Sequence, residues 1–160
     1  MAVSILEIDD FESEDFNLIA IHSSLEDYKL AYLINRTIDI TLQKSLKPLV
    51  LTKFDFQTTF EIFKFDDEEN KTFWSLIHNR SYQTKVTYIS EVEFNEVKIY
   101  SDIQLIPEYQ DVDYFIKIDE SQNQNYIQSL LLKLNQILGV EKAFEINEKE
   151  SLLSINNLLF

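Results

Sequence analysis

The sequence predicts an α+β fold, a mostly antiparallel sheet with two main helices packed on one face. Two strand-then-helix units, residues 16–38 and 112–138, flank a run of segments with strand character, the order expected when helices cover one side of an antiparallel sheet. The chain has 160 residues, 45% of them hydrophobic, which suits one domain with one sizeable core and argues against global disorder.

Residues 1–15 carry Glu7, Asp9, Asp10, Glu12, Glu14 and Asp15 and are read as an acidic N-terminal arm or an edge strand, because their apolar residues commit to no single face. The single α+β domain then spans 16–160. FNLIAIH (16–22) reads as a buried strand, and Ser23 and Ser24 stand where helix N-caps belong. Leu30, Leu33, Ile34 and Ile38 recur at helical spacing. After Lys47-Pro48, Phe54, Phe56, Phe60 and Ile62 alternate with mostly polar residues as in a half-buried strand. The polar turn 66–71 leads into Phe73, Trp74, Leu76 and Ile77, the returning arm of a hairpin. Segments 84–89, 92–100 and 103–106 read as short strands, with a turn or bulge expected at Asn95-Glu96. Val112, Tyr114, Ile116 and Ile118 alternate with Asp113, Lys117 and Asp119 in a further strand. Ile127, Leu130, Leu131, Leu134 and Leu138 define the second helix, stopped by Gly139. Residues 140–146 and 152–160 read as terminal strands, or as a strand and a short helix.

Twenty-eight acidic residues against 14 basic ones give a formal charge of −14, which repels nucleic-acid backbones and anionic membranes. Neither is expected as a partner. No stretch reaches the roughly 20 apolar residues of a membrane span, and the acidic start lacks the basic and apolar regions of a signal peptide. With no cysteine, disulfides and thiolate chemistry are excluded, and a cytoplasmic location is expected.

A single glycine, Gly139, cannot build the glycine-rich phosphate loops of common nucleotide folds, nor a GxSxG nucleophile elbow. His22, Ser23 and Ser24, at a strand-to-helix junction, form a candidate secondary site where free amides could meet an anion, against a simpler capping role. His22 and His78 are the only histidines and share no ligand-pair spacing, so neither a metal nor a cofactor is expected.

The most individual segment is Ile106-Pro107-Glu108-Tyr109-Gln110-Asp111-Val112-Asp113-Tyr114. Pro107 fixes φ, 108–111 form a polar link, and Val112 and Tyr114 point away from Asp113, so the segment reads either as a structural lock or as a binding loop. It resembles the bacterial IPExxxVDY family, matched at Ile106, Pro107, Glu108, Val112, Asp113 and Tyr114. HSSLEDYKLAYLIN (22–35) is also similar to that family's first helix. The resemblance implies no reaction, substrate or cofactor.

The sequence therefore favours a non-catalytic protein-binding or adaptor domain. Its expected binding residues are Pro107, Glu108, Tyr109, Asp111, Asp113 and Tyr114, a tyrosine-bearing acidic surface. No catalytic residue is assigned. One alternative is a small-ligand protein or enzyme in which Asp113 or Glu108 is the base and His22 the acid. The other is a homodimer joined through an edge strand.

Overall fold

The uninterrupted apolar run at the first strand predicts burial on both faces, and β1 (Phe16–Ser23) has it. The computed structural model of the chain describes residues 15–53, 56–88 and 94–160. The expectations for residues 1–14, Phe54, Ile89 and Val92 lie outside these.

After β1 come α1 (Asp27–Ile38), β2 (Gln43–Lys44), β3 (Leu49–Lys53), β4 (Phe56–Phe60), β5 (Ile62–Asp67), β6 (Thr72–His78), β7 (Arg80–Tyr88) and β8 (Phe94–Gln104). The chain continues through a 3-10 turn, Pro107–Tyr109, into β9 (Tyr114–Asp119), α2 (Gln124–Asn135) and β10 (Val140–Glu145). Two more 3-10 turns, Lys149–Ser151 and Ile155–Leu158, follow. Every described strand pairing is antiparallel, in a six-stranded sheet β10-β1-β9-β6-β5-β2 and a four-stranded sheet β3-β4-β7-β8.

Side-chain alternation gives the central sheet two apolar faces. On one, Ile19, Ile21, Trp74, Leu76, Ile116 and Ile118 pack with Leu30 and Ile34 of α1 and Ile127, Leu130 and Leu134 of α2. This is the expected two-helix layer. On the other, Leu18, Ala20, Ile77 and Phe115 meet Phe60, Leu105, Ile106, Val112, Leu152 and Leu158. The second face is thus closed by the end of β4, the 105–112 loop and the 3-10 turns.

Several local expectations change. Neither Ser23 nor Ser24 caps α1; three residues separate β1 from the helix, and its N-cap is Glu26, with no side-chain cap bond. The Ser23 hydroxyl instead accepts from Leu25 N–H at 3.2 Å and donates to the Gly139 carbonyl at 2.6 Å. The expected break at Asn95-Glu96 is absent: β8 runs through it, paired to Thr87 and Val86, and the irregularity falls between Ser81 and Gln83. Of the two readings of 140–146 and 152–160, the structure has the strand and short helix, β10 followed by the 3-10 turn Ile155–Leu158.

Both helices are tied to the chain that follows by a two-way asparagine clamp. Asn35 Nδ2 donates to Leu42 O at 3.0 Å while Oδ1 accepts from Leu42 N at 2.8 Å. Asn135 does the same with Ala143, at 3.0 and 2.9 Å. Gly139, φ 101°, occupies a backbone region closed to most L-residues, and a Cβ there would come within 2.7 Å of the Leu25 side chain. The turn after α2 is therefore pressed against the start of α1.

Candidate functional site

The 106–114 motif is held at nearly every residue. Ile106 and Val112 are core side chains, and Pro107 opens the 3-10 turn. Fully buried Asn79 organises the loop: its Oδ1 accepts from Ile106 N at 2.9 Å, and its Nδ2 donates to Tyr109 O at 3.0 Å and Val112 O at 2.8 Å. The Glu108 carboxylate accepts from Ser154 N at 3.0 Å and Ser154 Oγ at 2.5 Å. Desolvation works against its charge, but the hydrogen bonds from the Ser154 hydroxyl and from the Glu108, Ser154 and Leu153 backbone together outweigh this and hold its pKa below the ordinary value. Tyr109 is half-buried, with its ring 6.4 Å from that of Phe144, while Gln110 and Asp111 are exposed.

Asp113 and Tyr114 leave the loop toward the start of α1. Asp113 Oδ2 accepts from Ser23 N at 2.8 Å, and the Tyr114 hydroxyl donates to Leu25 O at 2.6 Å. Both contacts satisfy main-chain groups, at the end of β1 and in the link before α1. Burial, followed by the negative charges of Asp27 and Asp113, raises the Tyr114 pKa, so its hydroxyl stays a donor.

The two groups of residues singled out in the sequence meet here. A cleft of about 520 Å³ is lined by Ser23, Ser24, Leu25, Glu26, Asp27, His78, Arg80, Asp113 and Tyr114. His78 stacks on Tyr114, ring centroids 4.7 Å apart at 24°, as the pairing of β6 with β9 places those residues side by side. Burial lowers the His78 pKa; Asp27 and Asp113 pull it up and Arg80 pushes it down, leaving it below its ordinary value. The imidazole is therefore neutral at pH 7.

His22 is not among the cleft residues. Its Nδ1 lies 2.8 Å from the Asp111 carbonyl, which can only accept, so Nδ1 is protonated. Its ring stacks on Phe144 at 5.8 Å. Pro107 and Glu108 border a separate cavity of about 430 Å³ with Leu153 and Ser154.

Asn79 and Arg80 escaped the sequence reading, which weighed His78 only as a metal ligand. Only the strand register shows that all three stand beside the motif, since it brings the end of β6 next to Tyr114. Among the described residues, no group of three or more His, Cys, Asp or Glu side chains is placed to hold a metal ion, and no helix is long and apolar enough to cross a membrane. Together these features give an α+β fold with an acidic cleft where the end of the motif meets the start of α1. No protein-family model, no curated protein and no solved structure matches the chain.

Proposed function

We propose that this chain is a non-catalytic protein-binding domain that engages a basic segment of its partner at the acidic cleft, to which the 106–114 motif contributes Asp113 and Tyr114. The carrying observation is the cleft's composition: Glu26, Asp27 and Asp113 line it with one cation, Arg80, and the stacked His78 and Tyr114 rings. Such a pocket suits the ammonium or guanidinium of a Lys or Arg side chain, with the rings offering cation–π contact. Membership of the IPExxxVDY family rests on the six matched motif positions and belongs to this proposal, as does a cytoplasmic location.

The test compares proteins retained from a native lysate by the unmodified chain, by Glu26→Gln/Asp27→Asn, and by Glu68→Gln/Glu69→Gln, which removes equal charge from the exposed 66–71 turn. A partner with a basic segment should be lost only with the first variant. Equal loss with both would reduce the attraction to net charge and defeat the proposal.

A second reading, a small-ligand site with acid–base character, is favoured by one observation: neutral His78 shares the cleft with Asp27 and Asp113. Thermal-shift screening separates the two, because a small molecule whose stabilisation disappears with His78→Gln supports only this second reading.

A further inference from the structure

We infer that Asn135 guards the outer edge of β10 and closes it to the strand of a second copy of the chain. An edge strand turns a row of N–H and C=O groups away from its sheet and so offers a template to another chain. β10 and β2 are the outermost strands of the order β10-β1-β9-β6-β5-β2. The guard is independent of whatever the cleft binds, and it removes β10 as the joint of an edge-strand homodimer.

The first observation is where the outward groups go. Along an antiparallel strand the main-chain groups turn alternately to one side and the other. Lys142 and Phe144 stand opposite His22 and Ala20, and Ile146 N donates to Leu18 O at 2.8 Å. That phase serves β1 and leaves Ala143 turned outward. Both its groups are taken by Asn135, Nδ2 donating to Ala143 O at 3.0 Å and Oδ1 accepting from Ala143 N at 2.9 Å. Nδ2 also donates to Leu131 O at 2.8 Å, which fixes the amide to its own helix. A side-chain amide carries the donor and acceptor of a peptide unit, so Asn135 supplies the two bonds that the nearest residue of an added strand would make.

The same arrangement recurs at the opposite edge. Ser45 N donates to Ile62 O at 2.9 Å, so Leu42, in the other phase, turns outward, and Asn35 takes its N–H and C=O at 2.8 and 3.0 Å. A further observation is charge. A second copy added antiparallel to β10 about a two-fold axis places one residue opposite itself. Centred on Ala143, the residue whose groups Asn135 holds, that pairing sets Glu141 opposite Glu145 of the other copy, twice. Like charges directly opposite destabilise a sheet. Clamp and charge therefore oppose the same pairing.

The experiment follows molar mass by light scattering over a concentration series. Asn135→Ala/Glu141→Lys removes the clamp and turns both like-charge pairs into Lys–Glu pairs; its mass should climb with concentration toward roughly twice that of the unmodified chain. Glu141→Lys alone, with the clamp intact, should keep the unmodified mass. Adding Glu145→Lys to the double variant restores like charges and should reverse the rise, which separates pairing through β10 from non-specific association of a weakened fold. Circular dichroism checks folding. Where the alanine change unfolds the chain, Asn135→Asp, which retains the acceptor for Ala143 N–H and loses the donor, carries the same comparison. A folded double variant that shows no rise, an equal rise with Glu141→Lys alone, or a rise that survives Glu145→Lys overturns the inference.

Discussion

Asn79 shows how much one side chain can carry and how little of that is written in the sequence. It is buried, and its amide serves the main chain at Ile106, Tyr109 and Val112. Its own backbone also donates to Asp113 O at 2.8 Å and accepts from Leu105 N at 2.7 Å. Asn79→Ala would strand the Ile106 N–H and Val112 C=O, each costing about 1–3 kcal/mol when buried and unpaired. The expected destabilisation is about 2–5 kcal/mol by urea denaturation at unchanged fold. Asn79→Asp should cost at least as much at pH 7, because a carboxylate would face two carbonyl oxygens. A loss below about 1 kcal/mol for the alanine variant, less than one stranded group should cost, would mean that the loop is held by its core side chains alone. The motif itself was legible, since Pro107 and the alternation of Val112, Asp113 and Tyr114 point to a fixed loop feeding a strand. Its organiser was not: an asparagine between His78 and Arg80 looks like any polar turn residue until the strand register is known.

At the scale of elements, the helices were legible because burial of one stripe repeats every three or four residues. The 152–160 segment was legible only as one of two readings, strand or short helix, because its apolar residues fit more than one period and 3-10 turns have no strong pattern of their own. What docks it is partly tertiary: Leu152 and Leu158 are buried, Asn157 Nδ2 donates to Leu105 O at 2.8 Å, and Glu108 holds Ser154. Glu108 makes that docking sensitive to acid. Its folded-state pKa lies below the ordinary 4.5, so the carboxylate's contribution is complete above that value and is lost as pH falls through the lowered one. Hydrogen-exchange protection of the Ser154 and Leu158 amides, corrected for intrinsic rates, should therefore drop in that acidic window. Glu108→Gln should show reduced protection at neutral pH and flatten the dependence. An unchanged pH profile in that variant would assign the docking to Leu152 and Leu158 alone.

The whole molecule is organised by strands that serve two cores at once. The α+β class and the helix layer followed from pattern alone, but the four-stranded sheet did not, because alternation within a strand says nothing about which sheet it joins. The consequence lies in β1, β6 and β9. Ile19, Ile21, Leu76 and Ile116 face the helices, whereas Leu18, Ala20, Ile77 and Phe115 face the other core. The single tryptophan, Trp74, is buried on the helix side and reports that core in fluorescence. Ile106, fully buried on the opposite side, is the complementary place to cut. Ile106→Ala should cost about 2–5 kcal/mol, as large-to-small changes in a packed core do. If the shared strands couple the cores, the Trp74 fluorescence transition in urea should shift by the same amount as the far-UV circular dichroism transition, the two remaining superimposed. Separation of the curves, with Trp74 retaining its original midpoint, would show that the helix-side core stands without the other. The acidic cleft would then belong to a unit that folds independently of the motif's buried half.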